Sequence, residues 1–327
     1  MLALDSMVRE NLFICPRCAH SVRSEAGSWR CANASCRYAD EPFPVVAGVP
    51  ALVDFEHSVV DAGRLRASEG ASNVRRWGLN RALRALVHPA NTTAAASVAR
   101  MRELLRADAA TTGRRPRILV IGGGSKGDGL AELYADPDVD LISFDIYASP
   151  SVQFIGDGHA IPLADGSVDG VVIQAVLQYL LEPTVVAKEI HRVLSSRGIV
   201  YADSPFIQQI CEGPYDLTRF TDSGQRYLFR WFERIDSGSV AGAGTALRWS
   251  IDYFVRALTR SRRLGRLAML CFFWLSWTDR MLDPRHTIDG ACSVFFLGRR
   301  SETSITEADI IDYYQGGMAG IPPDDRD

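Results

Sequence analysis

The chain has 327 residues, of which 47% are hydrophobic and 23% charged, and its formal net charge is −3. This length is sufficient to bury the cores of two domains, and the composition is typical of a soluble globular protein. The near-neutral charge excludes a global polyanion-binding character. Residues 1–13 contain acids and no long apolar run, so no signal peptide is predicted. The longest apolar stretch, 267–275, is too short to span a bilayer, and we expect a cytoplasmic protein.

Four cysteines lie near the N-terminus as two pairs, Cys15-x2-Cys18 and, twelve residues later, Cys31-x4-Cys36. Two closely spaced thiolate pairs can close a tetrahedral site around one Zn²⁺, and in a cytosolic chain this spacing favours zinc. The alternative is a set of ordinary buried or paired cysteines. A shell of four thiolates leaves no open coordination position, so the predicted metal is structural.

The segment after the cysteines reads Phe43-Pro-Val-Val-Ala-Gly-Val-Pro-Ala-Leu-Val-Asp54. Residues 12–54 resemble the zinc ribbons of methyltransferase-activating zinc proteins, in which a CPxC pair, a second cysteine pair and an FPxxxGxPxLL stretch recur. The resemblance implies a ribbon packed beside a methyltransferase. Some zinc ribbons bind nucleic acid, but five arginines and six acids give residues 1–54 a net charge of −1, which favours a structural module.

A basic connector is predicted over residues 55–112. Twelve arginines and five acids between 55 and 117 give this region a net charge of +7. Apolar residues at 98, 101, 104 and 105 predict a helix that ends near Ala110, before Thr111-Thr112-Gly113. The arginines either form a patch that binds phosphates or the surface of an anionic membrane, or they lie on a solvated helix face. We favour the solvated face.

An apolar strand, 118–121, leads into the glycine turn Gly122-Gly123-Gly124-Ser125-Lys126-Gly127. Such a strand is typical of burial on both faces, and the glycines let the backbone approach a ligand closely. The turn also matches a dinucleotide fingerprint, so alone it does not separate NAD from S-adenosylmethionine. A second strand, 141–144, ends at Asp145, followed by Ile146, and the Asp145 carboxylate can accept hydrogen bonds from both ribose hydroxyls.

The downstream motifs distinguish the two cofactors. Gly156-Asp157-Gly158 resembles the GDAxxLP turn of class I S-adenosylmethionine-dependent methyltransferases of the type 11 kind. Residues 161–169 continue an LPFxDxSFD pattern, and 188–201 match the EixRvLkpGG helix and fifth strand. The resemblance covers about 116–205. It implies an α/β fold with a Rossmann-like seven-stranded methyltransferase sheet, to which the N-terminal zinc ribbon and a helical cap are added.

The resemblance also implies the cofactor site. Its expected members are Gly122, Gly123, Gly124, Asp145, Ile146, Asp157, Gly158 and Gln174. In this family the acid at Asp157 accepts the adenine amino group, and the Gly158 N–H faces the adenine ring. The chain departs from the family where Val120 replaces an acid before the first glycine and Lys126 takes the place of the third glycine.

The acceptor side follows the fifth strand. Residues 213–221 resemble the PxDxxRFT stretch of methyltransferases encoded with bacterial glycan and secondary-metabolite pathways. The candidate catalytic residues are Tyr179, Asp216 and Arg219: Tyr179 borders the methyl group, Asp216 takes a hydroxyl proton, and Arg219 holds a carboxylate or phosphate. The alternatives are a packing aromatic at Tyr179 and an Asp216–Arg219 salt bridge that pins the loop. The LEH of many relatives is Leu177-Gln178-Tyr179 in this chain, so a histidine base is not expected there.

The methyltransferase domain is predicted to span 113–300, with a helical insertion at about 247–282 and a tail from 301 to 327. In the insertion, several arginines precede the apolar, aromatic-rich segment 267–277. This pattern suits a membrane interface that receives a lipid-linked acceptor, or a helix packed on the core or at a dimer contact. We favour the packed helix.

The sequence therefore predicts an S-adenosylmethionine-dependent methyltransferase with a structural Zn²⁺. Its expected acceptor is a small molecule or saccharide, including lipid-linked forms, of glycan or natural-product biosynthesis. One alternative is an RNA base methyltransferase, which the near-neutral ribbon disfavours and the basic connector favours. A second is a non-catalytic partner protein that binds S-adenosylmethionine, which the residues at Val120 and Lys126 allow.

Overall fold

The computed structural model of the chain describes residues 1–71 and 91–319. Four arginines of the predicted connector, at 75, 76, 81 and 84, and the proline-rich end of the tail lie outside the described residues. The helices are α1 (Leu4–Arg9), α2 (Arg37–Asp40), α3 (Ala62–Ala67), α4 (Thr92–Thr112), α5 (Ala131–Ala135), α6 (Pro183–Val193), α7 (Asp222–Leu228), α8 (Ala243–Thr259), α9 (Arg262–Cys271), α10 (Leu275–Thr278), α11 (Pro284–Asp289) and α12 (Glu307–Asp312). The strands are β1 (Val22–Glu25), β2 (Ser28–Cys31), β3 (Val45–Val46), β4 (Val49–Pro50), β5 (Arg117–Ile121), β6 (Asp140–Asp145), β7 (Phe154–Ile155), β8 (Val168–Gln174), β9 (Leu194–Pro205), β10 (Phe232–Ala241) and β11 (Ser293–Arg300).

One sheet of seven strands organises the chain, in the order β10-β11-β9-β8-β5-β6-β7. Parallel pairing joins β7, β6, β5, β8 and β9 in that order, whereas β11 runs antiparallel to both β9 and β10. Most residues of the central strands are buried because helices cover both faces of the sheet. The predicted α/β fold class, a Rossmann-like seven-stranded sheet, is confirmed.

Capping side chains and a left-handed glycine determine where the helices beside the sheet begin and end. The Asn91 side chain accepts a hydrogen bond from Ala94 N and caps the start of α4, while Gly113 ends this helix in a left-handed conformation with φ of 68°. Helix α4 therefore ends at Thr112, two residues beyond the expected end. Thr221, one of the residues able to cap α7, accepts a hydrogen bond from Gly224 N.

The N-terminal segment 12–54, called the ribbon below, contains two short hairpins. β1 pairs with β2, and β3 pairs with β4, both antiparallel. The connecting residues Ala26-Gly27 and Ala47-Gly48 all have positive φ angles, as tight two-residue hairpin turns require. The first hairpin ends at Cys31, and the second leads into Ala51, which pairs with the large sheet.

The ribbon and the large sheet share one hydrophobic core. Phe13 forms an isolated bridge with Leu163, and its ring contacts Phe154 edge-on with centroids 5.3 Å apart. After β4, Ala51 pairs in parallel with Ile155 of β7, so the ribbon covers the edge of the sheet. Aromatic residues of both parts therefore pack in a single cluster of buried side chains.

Between β10 and β11 the chain forms the helical insertion. Helices α8 and α9 pack against each other, and α10 also packs on α8. Within the described residues, no helix combines the length and apolar character needed to cross a bilayer.

Candidate functional site

The glycine turn lies at the carboxyl end of β5. Gly122 has a φ of 77°, and a Cβ at this residue would lie 2.2 Å from Val176 Cγ2. A Cβ at Gly123 would lie 1.9 Å from Ser143 Oγ. Neither glycine can therefore carry a side chain without displacing the packing beneath the turn.

Asp145, at the end of the neighbouring strand β6, supports this turn. Its Oδ2 accepts a hydrogen bond from Gly124 N at 2.8 Å, and its Oδ1 accepts one from Ile146 N at 2.7 Å. The carboxylate thus stands beside the glycine backbone, at the edge of the sheet where parallel α/β folds bind their ligands.

Asp157 lies on the next turn, where it is buried and held by three donors. It accepts hydrogen bonds from Ser58 Oγ at 2.5 Å, His159 N at 2.9 Å and His159 Nδ1 at 2.6 Å. Burial alone would raise the pKa of Asp157, but these hydrogen bonds outweigh it and lower the pKa below its ordinary value. His159 Nε2 accepts from Glu182 N, so Nδ1 carries the proton. Asp157 is therefore an ionised acceptor at neutral pH.

The helix that carries the EixRvL pattern fixes the segment after Asp157. Glu189 Oε2 accepts a hydrogen bond from Ile161 N, and Arg192 donates to the Ile161 and Leu163 carbonyl oxygens. The same guanidinium pairs with Glu189 and Asp165. These residues of α6 therefore position the predicted adenine-binding turn.

A buried polar group that sequence reasoning did not assign lies beside Gln174. The Asp203 carboxylate, near the end of β9, accepts hydrogen bonds from Gln174 Nε2 at 3.0 Å, Tyr201 Oη at 3.1 Å and Ala175 N at 2.9 Å. Burial raises the pKa of Asp203 to about 6 despite these donors. Among the described residues, Gln174 Oε1 is buried without a hydrogen-bond donor, 1.7 Å from the Cβ position of Gly127.

Asp203 makes the stability of the fold dependent on pH. Its pKa is about 6 in the folded protein against an ordinary value of 3.8, so the folded state binds this proton more tightly than the unfolded chain. The resulting stabilisation is complete below about pH 4 and is lost as the pH rises through about 6. We expect the free energy of unfolding of the wild type to fall by about 3 kcal/mol relative to Asp203→Asn over this window, as urea titrations at several pH values would measure. Parallel pH profiles for the two proteins would contradict the assignment.

The loop after β9 is closed by an ion pair between two of the predicted catalytic residues. Arg219 Nη2 donates to Asp216 Oδ2 at 2.8 Å, and Arg219 Nη1 donates to Asp216 Oδ1. Arg219 Nε also donates to the Gln208 carbonyl, and Asp216 accepts from Cys211 N. These contacts hold the two ends of the loop together, as expected if Asp216 and Arg219 form a salt bridge. The positive charge of Arg219 is therefore already paired within the protein.

Tyr179 lies against the same loop. The Gln178 carbonyl accepts hydrogen bonds from Leu217 N and Thr218 N, so the short helical turn Leu177–Tyr179 is joined to the segment that carries Asp216. Burial raises the pKa of Tyr179 to about 12, with a further contribution from nearby acids that include Asp216. Tyr179 is therefore a neutral phenol at physiological pH, and the structure brings the three predicted catalytic residues together.

An open pocket of about 430 Å³ lies beside this ion pair. It is lined by Gln208, Gln209, Ile210, Asp216, Leu217, Thr218, Arg219 and Tyr253. Its volume falls within the range of small-molecule sites. The Tyr253 hydroxyl, from α8, donates to the Ile210 carbonyl, so the helical insertion forms one wall of the pocket.

The four N-terminal cysteines converge in the ribbon. Their sulfur atoms all lie within 4.8 Å of one another, with Cys15 and Cys36 Sγ atoms 3.8 Å apart and Cys18 and Cys31 Sγ atoms 3.4 Å apart. Four thiolates at about 2.3 Å from one zinc ion stand about 3.8 Å from each other. The geometry of the cluster fits the predicted tetrahedral site.

Comparison with known proteins places this core among methyltransferases. Residues 134–202 match the family model described as a methyltransferase domain. The chain therefore contains a methyltransferase domain. This match confirms the prediction of enzyme class, and it covers β6, the Asp157 turn, β8, α6 and most of β9. No curated protein matches the chain.

Similar solved structures include several methyltransferases, all distant in sequence. A Galdieria sulphuraria protein assigned as a sarcosine dimethylglycine methyltransferase is 16% identical, with 62% of this chain and 86% of that chain covered and a TM-score of 0.39. A Haloferax volcanii complex of the Trm112 methyltransferase activator with a methyltransferase is 18% identical, with 66% and 97% covered and a TM-score of 0.39. The Burkholderia thailandensis 1,6-didemethyltoxoflavin-N1-methyltransferase is 13% identical, with 71% and 95% covered and a TM-score of 0.35.

Two residues near the site were missed from the sequence. Asp203 comes directly after the apolar strand residues 199–202, just as Asp145 comes after 141–144. This similarity in the sequence could have identified Asp203 as a site residue. Ser58 has no such signal, because its contact with Asp157 joins residues 99 positions apart.

Proposed function

We propose that this methyltransferase transfers the methyl group of S-adenosylmethionine to a small-molecule or saccharide acceptor bound in the pocket beside Asp216 and Arg219. The observation that carries the proposal is the open pocket in the loop after β9, where residues 217–218 are hydrogen-bonded to the short helical turn Leu177–Tyr179. We propose a cytoplasmic enzyme with a ribbon (1–54), a connector (55–112), a methyltransferase domain (113–300) and a tail (301–327). Glycan or natural-product biosynthesis is the setting that the PxDxxRFT resemblance favours.

The residues around the glycine turn fit the cofactor. Asp145 would accept the ribose hydroxyls, while Gly122, Gly123 and Gly124 would allow close approach of the backbone. Asp157 and Gly158 would face adenine, and Ile146, half exposed beside Asp145, would offer apolar contact. The buried Gln174 Oε1 is suited to a cationic donor such as the α-ammonium of the methionine portion. When bound, the cofactor supplies an electrophilic methyl group.

The acceptor side would act mainly by orientation. Methyl transfer to a nucleophilic atom needs little acid–base help, and alignment of the reacting atoms supplies much of the rate. The Asp216–Arg219 ion pair would order the pocket wall, because the five N–H donors of Arg219 are all taken up by Asp216 and by three carbonyl oxygens of the loop. Tyr179 would border the reacting methyl group as a neutral phenol.

We propose that Cys15, Cys18, Cys31 and Cys36 bind one structural Zn²⁺. The convergence of the four sulfur atoms supports this site. Because the ribbon core is shared with the sheet, the metal would stabilise the enzyme and not only its N-terminal segment.

The ion pairs of the connector disfavour the alternative function in RNA methylation. Within the described residues, arginines of this region pair with acids of the same chain, at positions Arg100, Arg102, Arg106, Arg114 and Arg117. Asp136 alone receives two of these guanidinium groups. Arginines that are neutralised in this way contribute less to phosphate binding than the net charge of +7 suggests.

Release of S-adenosylhomocysteine from S-adenosylmethionine, measured with a panel of small-molecule and sugar acceptors, tests the proposal. Turnover with a member of the panel is expected. Cofactor binding without turnover on any acceptor would instead support the non-catalytic alternative, and salt-sensitive methylation of RNA would support the nucleic-acid alternative.

With an acceptor identified, Arg219→Lys tests the pocket. Lysine retains the charge but loses the bidentate pair with Asp216, so the loop becomes less ordered. We expect KM for the acceptor to rise about 10-fold or more, while the dissociation constant of S-adenosylmethionine from calorimetry is unchanged. The matched Arg23→Lys change, on an exposed position of β1, is expected to leave both constants unaltered. An unchanged acceptor KM in Arg219→Lys would place the acceptor elsewhere.

A further inference from the structure

The hairpin of α8 and α9 exposes an unusual combination of apolar and basic side chains. On α8, Leu247, Phe254 and Leu258 follow one another at helical spacing and are 52%, 68% and 73% exposed. On α9, Leu264 and Leu267 are 48% and 56% exposed. Each helix therefore carries an apolar stripe in contact with solvent. The sequence pattern favours a helix packed on the core or at a dimer contact for 267–277, and within the chain the main packing partner of α9 is α8.

The rest of the hairpin is well packed, so the exposed stripes are not signs of a loose segment. A Cβ at Gly265 would lie 2.3 Å from Asp252 Oδ1 and 2.5 Å from Arg256 Cγ, which shows how closely the two helices approach. Asp252 is fully buried and pairs with Arg256 at 2.5 Å. The facing sides of the two helices are thus closely packed, whereas the apolar side chains on their outer sides remain exposed.

The exposed charge around the tip of the hairpin is basic. Residues 253–278 contain five arginines, at 256, 260, 262, 263 and 266, and no acid. Arg260, Arg262 and Arg263 are exposed at the turn between the helices, and they have no acidic partner among the described residues. Aromatic residues follow directly, with Trp274 and Trp277 both partly exposed. A cationic tip beside apolar and aromatic side chains complements an anionic lipid surface.

We propose that the α8–α9 hairpin docks on the headgroup region of a lipid bilayer that contains anionic lipids. The apolar stripes enter the boundary between headgroups and acyl chains, and the arginines at the tip bind lipid phosphates. Because none of the described helices can cross a bilayer, the contact is peripheral. The inference does not depend on methyl transfer. Tyr253 connects it to the pocket, since α8 forms one pocket wall and the same hairpin would hold that pocket beside the membrane.

Other occupants fit this surface less well. A two-fold contact between copies of the chain, centred on the tip, would bring the arginines of both copies together without acids to compensate them. A nucleic acid would neutralise the arginines but leave Phe254 and Leu258 in water. An anionic bilayer satisfies both the charge and the apolar area.

Co-sedimentation of the full chain with vesicles of phosphatidylcholine, with and without phosphatidylglycerol, tests the proposal. We expect binding to the anionic vesicles, weakened by salt, and little binding to phosphatidylcholine alone. The double change Arg262→Gln/Arg263→Gln should weaken binding about 5-fold for each arginine removed. The double change Phe254→Ser/Leu258→Ser should also weaken it, while cofactor affinity is retained.

Matched controls come from exposed residues outside the hairpin. Ile311→Ser, on α12, removes an apolar side chain that is 76% exposed, and Arg115→Gln removes an exposed charge. Both proteins should bind vesicles like the wild type. Failure of the wild type to bind anionic vesicles, or equal binding by all variants, would overturn the proposal. A dimer on gel filtration that Phe254→Ser/Leu258→Ser converts to a monomer, without vesicle binding, would assign the surface to a second copy instead.

Discussion

Replacing Asp145 by alanine is expected to weaken S-adenosylmethionine binding by at least about 100-fold. The variant loses a carboxylate that would accept charge-assisted hydrogen bonds from the ribose hydroxyls, each worth about 1.5–3 kcal/mol. It also loses the acceptor for Gly124 N, so the glycine turn is held less firmly. Titration calorimetry of the purified protein with S-adenosylmethionine, S-adenosylhomocysteine and NAD provides the measurement.

Asp140→Ala is the matched control, since Asp140 lies at the opposite end of the same strand. This variant should bind both S-adenosyl compounds as the wild type does. Micromolar binding of these two compounds without NAD binding would establish the pocket. If the wild type bound NAD alone, the glycine turn would belong to a dinucleotide site and the cofactor proposal would be wrong.

The parts of the site that could be predicted are those that each strand encodes locally. A buried apolar strand followed by Gly122 or by Asp145 carries its own signal, because the residue after a parallel strand lies at the ligand edge of the sheet. The cysteine pairs are similar, since two residues on one tight turn are neighbours in any fold that forms that turn. These features required no knowledge of how distant segments meet.

The remaining features depend on tertiary packing. Asp216 and Arg219 are three residues apart, which is compatible with either a salt bridge or two separate acceptor contacts, and only the loop geometry shows that they pair. Ser58 meets Asp157 because the ribbon docks on the β7 edge of the sheet. The sequence predicts that 267–277 packs on the core or at a dimer contact, and only the structure shows that the main partner of α9 within the chain is α8. In each case the sequence does not show which partner the side chain meets.

The docked ribbon also connects the cysteine cluster to the cofactor site. Arg17, inside the first cysteine pair, donates to Asp54 at 3.2 Å and to Glu56 at 2.5 Å. Asp54 and Glu56 begin the segment that leads to Ser58, which donates to Asp157. A change in the first cysteine turn can therefore reach the predicted adenine-binding acid through a short series of direct contacts.

Loss of zinc is accordingly expected to destabilise the whole enzyme and to weaken cofactor binding. Cys36→Ser removes one thiolate from the cluster, and a structural zinc site contributes its binding free energy to folding. We expect zinc content to fall from about one ion per chain, and the thermal midpoint to fall by at least about 5 °C. Affinity for S-adenosylmethionine should fall about 10-fold, because the Arg17 contacts that hold the Ser58 segment are lost.

Elemental analysis, thermal unfolding and calorimetry on the same preparations measure these three effects. Cys271→Ser, at an exposed cysteine of α9, is the matched control and should retain zinc, stability and cofactor affinity. Full stability in Cys36→Ser despite loss of zinc would show that the shared aromatic core holds the ribbon without its metal. Loss of stability with unchanged cofactor affinity would remove the link through Arg17 and Ser58, and would leave the zinc purely structural.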